Sequence, residues 1–364
     1  MIPLFRVKMS DAALGAVTNV LASGYIGQGP VVEQFEDKLW QELVSKTRPV
    51  TVNSCTAAID LALELLGVEN GDEIITTPQT CFASNVGAIH RGARIRWADI
   101  DPLTGLIQPA AVEKLISNKT KAVIAVNWAG KLCDYKELKN LGIPVIEDAA
   151  HVWDVFVKDR SELERGDYIC YSFQAIKFLT CGDGGALVCP EETQDEARIL
   201  RWYGLDRTKN ESFRCTQNIT RVGFKYHMND INASIGLSNL PAAADSVKAS
   251  RDNSYRFIER INNTNFVLPT WDETSSYWLF SMHVLSDQKE HFSKYLAGNG
   301  IVSSPVHFRN DLYDSTIHFQ EDKLSGVDTF TSTQICIPNG WWLSAQDSEY
   351  IITILNNYNP ALMV

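Results

Sequence analysis

The sequence predicts an α/β protein built on a largely parallel β-sheet. Between residues 49 and 148, short apolar segments of strand length alternate with longer segments that have the apolar spacing of a helix. This alternation is typical of consecutive β-α-β units, which place parallel strands side by side with helices on both faces. The size of the chain is a second observation. A chain of 364 residues with 45% hydrophobic composition can bury a large core, and a chain of this length usually forms more than one structural unit.

Two amphipathic helices are predicted before the first strand, over residues 10–24 and 31–46, separated by a segment rich in glycine and proline. The predicted strands are short apolar runs over residues 49–52, 73–76, 93–98, 122–126, 143–146, 168–172 and 185–188. The helices predicted between and after them cover residues 53–67, 82–90, 109–117, 134–140, 191–203 and 229–252.

The long helix after Asn229 is predicted to lead the chain into a second, smaller unit. Residues 1–245 would then form a large domain, and residues 246–364 a smaller C-terminal α+β domain. Within the smaller domain, a strand is expected to contain Trp278 and His283, and a terminal helix is expected over residues 350–355.

Composition and charge exclude several classes of function. The net charge of −11 and the pI near 5.2 argue against a nucleic-acid or anionic-membrane partner, because there is no surplus of cations to neutralise phosphates. We find neither a secretory signal nor an apolar run of membrane-spanning length. The eight cysteines are scattered without metal-binding spacing, which predicts reduced thiols and no metal site. We therefore expect a soluble, cytoplasmic protein.

One lysine lies in a candidate reactive segment. Lys177 follows aromatic and aliphatic residues and precedes the glycine-rich turn 182–185. Burial would disfavour its ammonium form, lower its pKa and make a neutral amine available to attack a carbonyl group, such as that of pyridoxal phosphate. The alternative is a buried lysine whose ammonium reaches the surface beside a strand turn.

Other candidate residues follow predicted strands, at the edge where open α/β sheets bind ligands. Ser54-Cys55-Thr56 begins a helix and can either hold a phosphate or simply cap the helix. Phe82 can stack on a flat cofactor ring or fill the core. Asp148 can keep a pyridine nitrogen protonated or cap a turn. Taken alone, each of these residues is more often a cap or a core residue than a ligand contact. Because all of them follow strands of the same predicted sheet as Lys177 does, one shared binding site is favoured.

The chain as a whole resembles the DegT/DnrJ/EryC1/StrS sugar aminotransferases, which have the three-layer fold of type I pyridoxal-phosphate enzymes with a mostly parallel mixed sheet. The resemblance covers nearly the whole length. It depends on segments 2–4, 29–36, 54–58, 71–75, 99–102, 147–151, 172–177, 182–185 and 228–233 in combination.

This resemblance implies a role for each candidate residue. Lys177 would hold pyridoxal 5′-phosphate covalently and move protons during catalysis. Asp148 would pair with the pyridine nitrogen, and His151 would lie near the phenolic oxygen. The remaining residues implied in cofactor binding are Thr56, Ala57, Phe82, Ser172 and, toward the site of a neighbouring subunit, Lys225. The residues implied in substrate binding are Tyr25, Gln28, His307 and Arg309.

The resemblance also implies a reaction. L-Glutamate would donate its amino group, leaving pyridoxamine 5′-phosphate, and a keto-sugar would receive it. The expected acceptor is a nucleotide-linked 4-keto-6-deoxyhexose for amino-sugar and surface-polysaccharide or lipopolysaccharide biosynthesis, and the enzyme would be a homodimer with shared active sites. Segment 306–311 leaves open an enzyme that aminates C8 of a 3-deoxy-octulosonate. A sugar dehydratase, in which histidine replaces the lysine, and a non-catalytic binding protein are further alternatives.

Three positions depart from the family pattern. Cys55 stands where a glycine is usual, and Lys225 stands where an asparagine is usual. The segment Asn127-Trp128-Ala129-Gly130 stands where many members have histidine before the glycine, which is expected to alter the sugar side of the site.

Overall fold

A computed structural model describes residues 1–43, 45–153, 163–208 and 216–362. Cys215, one of the eight cysteines, lies outside these ranges. The described residues form a seven-stranded sheet with helices on both faces and a separate three-stranded sheet in the C-terminal part. This arrangement confirms the predicted α/β class.

The helices are α1 (Ala12–Ser23), α2 (Pro30–Glu42), α3 (Cys55–Leu65), α4 (Val86–His90), α5 (Pro109–Glu113), α6 (Tyr135–Asn140), α7 (Gln194–Leu200), α8 (Asp230–Arg260), α9 (Lys289–Gly298), α10 (Ser325–Thr333) and α11 (Ala345–Asn356). The strands are β1 (Val50–Val52), β2 (Glu73–Thr76), β3 (Arg94–Trp97), β4 (Thr120–Val126), β5 (Val145–Asp148), β6 (Tyr168–Ser172), β7 (Gly185–Val188), β8 (Phe266–Val267), β9 (Phe280–Val284) and β10 (Gln334–Ile337).

The large sheet has the strand order β1-β7-β6-β5-β4-β2-β3. Strand β7 runs antiparallel to both of its neighbours, whereas β6, β5, β4, β2 and β3 are parallel. The sheet is therefore mixed and mostly parallel, as predicted. Because the parallel strands share one direction, the residues that follow β2, β4, β5 and β6 meet at a single edge.

Apolar side chains cover both faces of the sheet, as in other parallel sheets. On β5, Ile146 packs into a core that includes residues of α3, and Val145 packs on the opposite face into a core that includes Leu138 of α6. The strand is thus buried on both sides, and Asp148 at its end points out of this packed region toward the edge of the sheet.

Helix α8 connects the two sheets. It packs against α1 and α2, and Phe257 near its end lies in the core of the three-stranded sheet β10-β9-β8. The predicted domain boundary at residues 245/246 falls inside this helix, so the division into two domains stays a prediction.

Several predicted boundaries differ from the observed ones. Trp278 precedes β9 instead of lying in it, because the chain there bonds to a loop of the large sheet, with Leu279 N donating to Ala129 O at 3.4 Å. The segment 82–90 is a 3₁₀ turn followed by α4, and the helices predicted over 31–46, 109–117 and 191–203 are shorter than their apolar patterns. In each case the apolar spacing extends beyond the hydrogen-bonded helix.

A buried carboxylate joins α2 to the first strand and to α7. Glu36 has a fully buried side chain that accepts hydrogen bonds from Arg201 at 2.6 Å, from Arg198 at 2.8 Å and from Thr51 N at 3.0 Å. Burial alone would raise the pKa of Glu36, but the charges of Arg201 and Arg198 outweigh burial and lower the pKa to about 2.

We expect Glu36→Gln to destabilise the protein by about 3–5 kcal/mol at neutral pH, because it leaves buried guanidinium groups uncompensated. The folded-state pKa is depressed, so the stabilisation is complete above the ordinary carboxyl pKa and declines as the pH falls toward 2. Urea unfolding at a series of pH values measures both effects.

Glu33→Gln is the matched control. Glu33 and Glu36 both form an ion pair with Arg48, but the side chain of Glu33 is 54% exposed. The control should change the free energy of unfolding by less than about 1 kcal/mol. Equal losses in the two variants would contradict the account of Glu36.

Candidate active site

A cavity of about 270 Å³ opens at the edge of the large sheet where the parallel strands end. Segments that follow β1, β2, β5 and β6 all contribute to its walls. The predicted site residues that line it are Thr56, Asp148, His151, Ser172, Lys177 and His307.

Lys177 lies in the connection between β6 and β7. Two hydrogen bonds close the base of this connection, from Phe173 N to Gly184 O at 2.8 Å and from Cys181 N to Phe173 O at 2.9 Å. The Lys177 Nζ atom lies 3.8 Å from the centroid of the Trp278 ring. Burial lowers the pKa of Lys177 to about 8, although the charge of Asp148 opposes the shift. A nucleophilic neutral amine is therefore accessible at mildly basic pH.

Asp148 ends β5 and lies 5% exposed at the cavity. Its Oδ2 accepts a hydrogen bond from Ser84 Oγ at 2.6 Å, and its Oδ1 accepts one from Ala150 N at 3.0 Å. Burial raises the pKa of Asp148, while these hydrogen bonds and the charge of Lys177 act in the opposite direction. The carboxyl group is thus held in one orientation beside a cation of the same cavity.

The start of α3 forms another wall. Ser54 caps this helix, with its Oγ accepting from Ala57 N at 3.1 Å, and Thr56 lines the cavity. Gly185 of β7 permits the close packing of strand against helix, because a Cβ there would lie 2.6 Å from Cys55 N. Cys55 is itself the first helical residue, so this position does not use the conformational freedom of glycine.

Aromatic rings line another part of the cavity wall. His151 stacks on Trp278 with ring centroids 4.0 Å apart, and His307 lies 6.3 Å from His151. Burial, with help from the charge of Lys177, lowers the pKa of His151 well below the usual range and the pKa of His307 to about 4. Both imidazoles are neutral near pH 7, and His151 Nδ1 is buried without a hydrogen-bond partner among the described residues.

Other predicted residues lie away from this cavity. Ala57 is buried within α3, with its N–H already bonded to Ser54. Phe82 packs edge-on against Tyr313 at 5.3 Å and does not line the cavity. The Arg309 guanidinium pairs with Asp311 at 2.6 Å and with Asp328 at 2.5 Å, so its charge is compensated within the chain.

The N-terminal turn is fixed to the start of α8. Asp230 accepts hydrogen bonds from Gly29 N at 2.7 Å and from Val32 N at 3.1 Å, and so caps α2. Gln28 is 7% exposed, and its Oε1 has no hydrogen-bond partner in the described part of the chain. Tyr25 is half-exposed on the same turn. Neither residue lines the cavity of its own chain.

Lys225 is exposed and lies outside the cavity. Its Nζ atom is 4.5 Å from the centroid of the Trp202 ring. This position toward solvent leaves its ammonium accessible to a second molecule.

Sequence reasoning did not identify Ser84 or Trp278 as parts of the site. Ser84 contacts Asp148 across 64 residues of chain, and Trp278 comes from the C-terminal half. No local motif marks either position.

Two kinds of feature are absent from the described residues. Within residues 1–43, 45–153, 163–208 and 216–362, no group of three or more histidine, cysteine or acidic side chains is placed to hold a metal ion. No helix within the same described ranges combines the length and the apolar character needed to cross a bilayer.

Comparison with known sequences identifies relatives. The model of the DegT/DnrJ/EryC1/StrS aminotransferase family matches residues 8–356. The spore coat polysaccharide biosynthesis protein SpsC of Bacillus subtilis is 36% identical over 250 residues, a match that spans 66% of this chain and 64% of the relative.

Solved structures share the fold over nearly the whole chain. AtS13 of Actinomadura melliaura has a TM-score of 0.91 at 33% identity and covers 99% of both chains. The sugar aminotransferase CalS13 of Micromonospora echinospora has a TM-score of 0.89 at 29% identity, covering 98% of this chain and 99% of its own. Spr1654 of Streptococcus pneumoniae in its pyridoxal-phosphate form has a TM-score of 0.88 at 25% identity, covering 98% of this chain and 97% of its own.

The cavity fits pyridoxal phosphate chemically. It offers an amine of lowered pKa in Lys177, an oriented carboxyl group in Asp148, and hydroxyl groups in Thr56, at a helix N-terminus, and in Ser172. These groups match the aldehyde, the ring nitrogen and the phosphate of the cofactor.

We expect Lys177→Met to stabilise the cofactor-free protein by about 1–3 kcal/mol at pH 7, because it removes a partly buried ammonium group. The folded-state pKa of Lys177 is about 8, below its ordinary value of 10.5, so the folded state binds fewer protons between these values. The gain in the free energy of unfolding of Lys177→Met over the parent should therefore be largest below pH 8 and vanish as the pH rises through 10.5.

Urea unfolding from pH 7 to about pH 10.5 tests this prediction. Lys136→Met on the exposed surface of α6 is the matched control and should change the free energy of unfolding by less than about 0.5 kcal/mol at pH 7. A Lys177→Met variant that is less stable than the parent at pH 7 would contradict the assignment of an unfavourably placed ammonium.

Proposed function

The chain belongs to the DegT/DnrJ/EryC1/StrS aminotransferase family of pyridoxal-phosphate-dependent sugar aminotransferases, and we propose that it transfers an amino group from L-glutamate to a nucleotide-linked 4-keto-6-deoxyhexose. The observation that carries this proposal is that two groups line one cavity. They are the Lys177 amine, whose pKa is lowered, and the oriented carboxyl group of Asp148. Both groups are costly to bury, and ionisable groups with perturbed pKa values in one cavity are found preferentially at functional sites.

The cofactor supplies the electron sink. When bound, pyridoxal 5′-phosphate lets the Cα–H bond of the amino donor break and retains the donated nitrogen for the second substrate. The protein must hold the cofactor, orient both substrates in turn and move protons between them.

Asp148 would hold the proton of the pyridine nitrogen. Ser84 Oγ, at 2.6 Å, and Ala150 N, at 3.0 Å, donate to its two oxygens and fix the plane of the carboxylate. A fixed carboxylate in a poorly solvated cavity interacts more strongly with a ring N–H than a freely rotating one would.

Lys177 would carry the proton transfer at the donor Cα atom. Its pKa of about 8 is close to physiological pH, and a group of such pKa can both accept and return a proton. The Trp278 ring, 3.8 Å from Nζ, limits the positions of the amine and excludes water from one side of it.

The phosphate of the cofactor would lie at the start of α3. Thr56 and Ser172 present hydroxyl groups there, and the N-terminus of a helix favours an anion. Lys225 would add a positive charge from a second subunit, which is supported by its exposed position outside its own cavity. We therefore propose a homodimer with shared active sites, acting in the cytoplasm.

The sugar assignment rests on the relatives. The Bacillus relative is described as a spore coat polysaccharide biosynthesis protein, and CalS13 is described as a sugar aminotransferase. Tyr25 and Gln28 of the N-terminal turn, together with His307, are the candidate contacts to the sugar nucleotide. The compensated charge of Arg309 does not favour the alternative acceptor, an acidic 3-deoxy-octulosonate. The presence of Lys177 argues against a dehydratase.

The test is a pair of half-reactions followed with purified holoenzyme. L-Glutamate should bleach the yellow cofactor absorbance and release 2-oxoglutarate, and a nucleoside-diphosphate 4-keto-6-deoxyhexose should restore the colour as an amino sugar forms. Release of water from the sugar without nitrogen transfer would indicate a dehydratase. Bound cofactor that responds to no amino donor would support the non-catalytic alternative.

We expect Asp148→Asn to lower kcat by roughly 10²–10³-fold, the usual cost of losing one oriented electrostatic contact at the reacting group. Ser84→Ala should give a smaller loss of roughly 10-fold to 100-fold, because it removes one hydrogen bond to a carboxylate, of about 1.5–3 kcal/mol, but leaves the charge of Asp148 in place. Steady-state rates with glutamate measure both variants. A larger loss in Ser84→Ala than in Asp148→Asn would contradict this order of roles.

A further inference from the structure

The indole of Trp278 is fixed to the chain segment that carries Lys177. Trp278 lies just before β9, is 5% exposed and lines the active-site cavity. Its Nε1–H donates a hydrogen bond at 3.1 Å to Ile176 O, the carbonyl group of the residue that precedes Lys177. A hydrogen bond between segments 102 residues apart therefore holds the ring beside the lysine.

The face of the indole contacts the amine of Lys177. The Nζ atom lies 3.8 Å from the centroid of the ring, within the distance of about 6 Å at which an aromatic face attracts an ammonium group. Tryptophan gives the strongest attraction of the aromatic side chains, and the attraction is larger where water is excluded. The ring therefore favours the ammonium form of Lys177, which burial disfavours.

Further contacts fix the plane of the indole. His151 stacks on the ring with centroids 4.0 Å apart and 19° between the planes, and Phe5 stacks on it at 5.0 Å and 27°. The backbone next to Trp278 is also held, because Asn339 Nδ2 donates a hydrogen bond to Tyr277 O at 2.7 Å. We therefore expect the ring to keep its place when the lysine side chain moves.

Other titratable groups also act on the Lys177 amine. They are one carboxyl group, two thiols and two imidazoles, namely Asp148, Cys55, Cys81, His151 and His307. Both imidazoles are neutral near pH 7, and the proposed function assigns Asp148 to the pyridine nitrogen of the cofactor. The indole face has no such assignment and is available to the ammonium group.

We propose that Trp278 is a positioning residue that holds the Lys177 ammonium on its indole face whenever the lysine is not bonded to the cofactor. The place of this contact in the reaction cycle rests on the proposed transamination, in which the amino donor releases the lysine. The contact keeps the amine inside the cavity and favours its protonated form before the second half-reaction. Trp278 itself exchanges no proton.

The protonation of Lys177 is measured in the full-length chain without cofactor. Trace acetylation with isotope-labelled acetic anhydride from about pH 6 to about pH 10, with mass spectrometry of the peptide that contains Lys177, reports the neutral fraction of this amine. Lys136 on the exposed surface of α6 is the internal reference for the reactivity of the reagent. The measurement needs no transamination, so its outcome does not depend on the proposed reaction.

Two variants separate the ring face from the other effects of Trp278. Trp278→Leu removes the face and should lower the pKa of Lys177 by about one unit. Trp278→Phe keeps an aromatic face without the indole N–H and should give a smaller decrease, because phenylalanine attracts cations less strongly. If the ring acted only by excluding water, its removal would instead raise the pKa of Lys177.

The role in the cycle is measured in the second half-reaction. The enzyme is loaded with pyridoxamine 5′-phosphate, and 2-oxoglutarate is added as the acceptor, so that the sugar substrate is not needed. Trp278→Leu should slow the return of the yellow absorbance by roughly 10-fold to 100-fold, as for a misplaced reacting group, without changing the affinity for pyridoxamine 5′-phosphate. Trp278→Phe should retain most of the rate.

Trp97→Leu is the matched control. Trp97 is 6% exposed, close to the value for Trp278, but it ends β3 and does not line the active-site cavity. This control should leave both the pKa of Lys177 and the rate of the second half-reaction unchanged.

Two results would overturn the proposal. They are an unchanged or raised pKa of Lys177 in Trp278→Leu, and a second half-reaction in that variant within about 2-fold of the parent rate. Trp278→Phe tests the proposal even if Trp278→Leu does not fold, because a Lys177 pKa at or above that of the parent would also overturn it.

Discussion

The candidate active site depends on one constraint, which is that two ionisable groups of opposite charge share a poorly solvated cavity. Asp148 is brought there by the end of β5, and Lys177 by the connection that follows β6, the neighbouring parallel strand. Burial acts on both groups and disfavours both charges, while each charge favours the other. The result is an amine that gives up its proton near physiological pH beside a carboxyl group that is fixed in place.

Distant parts of the chain hold this arrangement in place. Ser84 orients Asp148, and the segment that carries His307 is bound to the loop after β2 by hydrogen bonds from Gln79 Nε2 to His307 O at 3.1 Å and from Asn310 N to Pro78 O at 2.8 Å. The C-terminal part therefore contributes to the site by packing on the strand ends of the large sheet. The position of His307 in the cavity therefore depends on these contacts.

Much of the fold could be predicted because its signals are local. Strands β6 and β7 have the predicted bounds. Lys177, Asp148 and Thr56 were predicted to share a site because each lies within a few residues of a strand end or a helix start, and all three line one cavity. The contacts of Ser84 and Trp278 could not be predicted, because they join segments far apart in the chain. The compensation of Arg309 by Asp328 is non-local for the same reason. Roles that need a second subunit, such as that of Lys225, stay predictions.

The central claim is that Lys177 is the amine that reacts with the cofactor. The most direct test is to reduce the purified holoenzyme with borohydride, digest it and map the modified peptide by mass spectrometry. The account predicts a pyridoxyl phosphate group on Lys177, and no such label after prior treatment with L-glutamate, which would release the lysine. Labelling of another lysine, or equal labelling in Lys177→Ala, would contradict it.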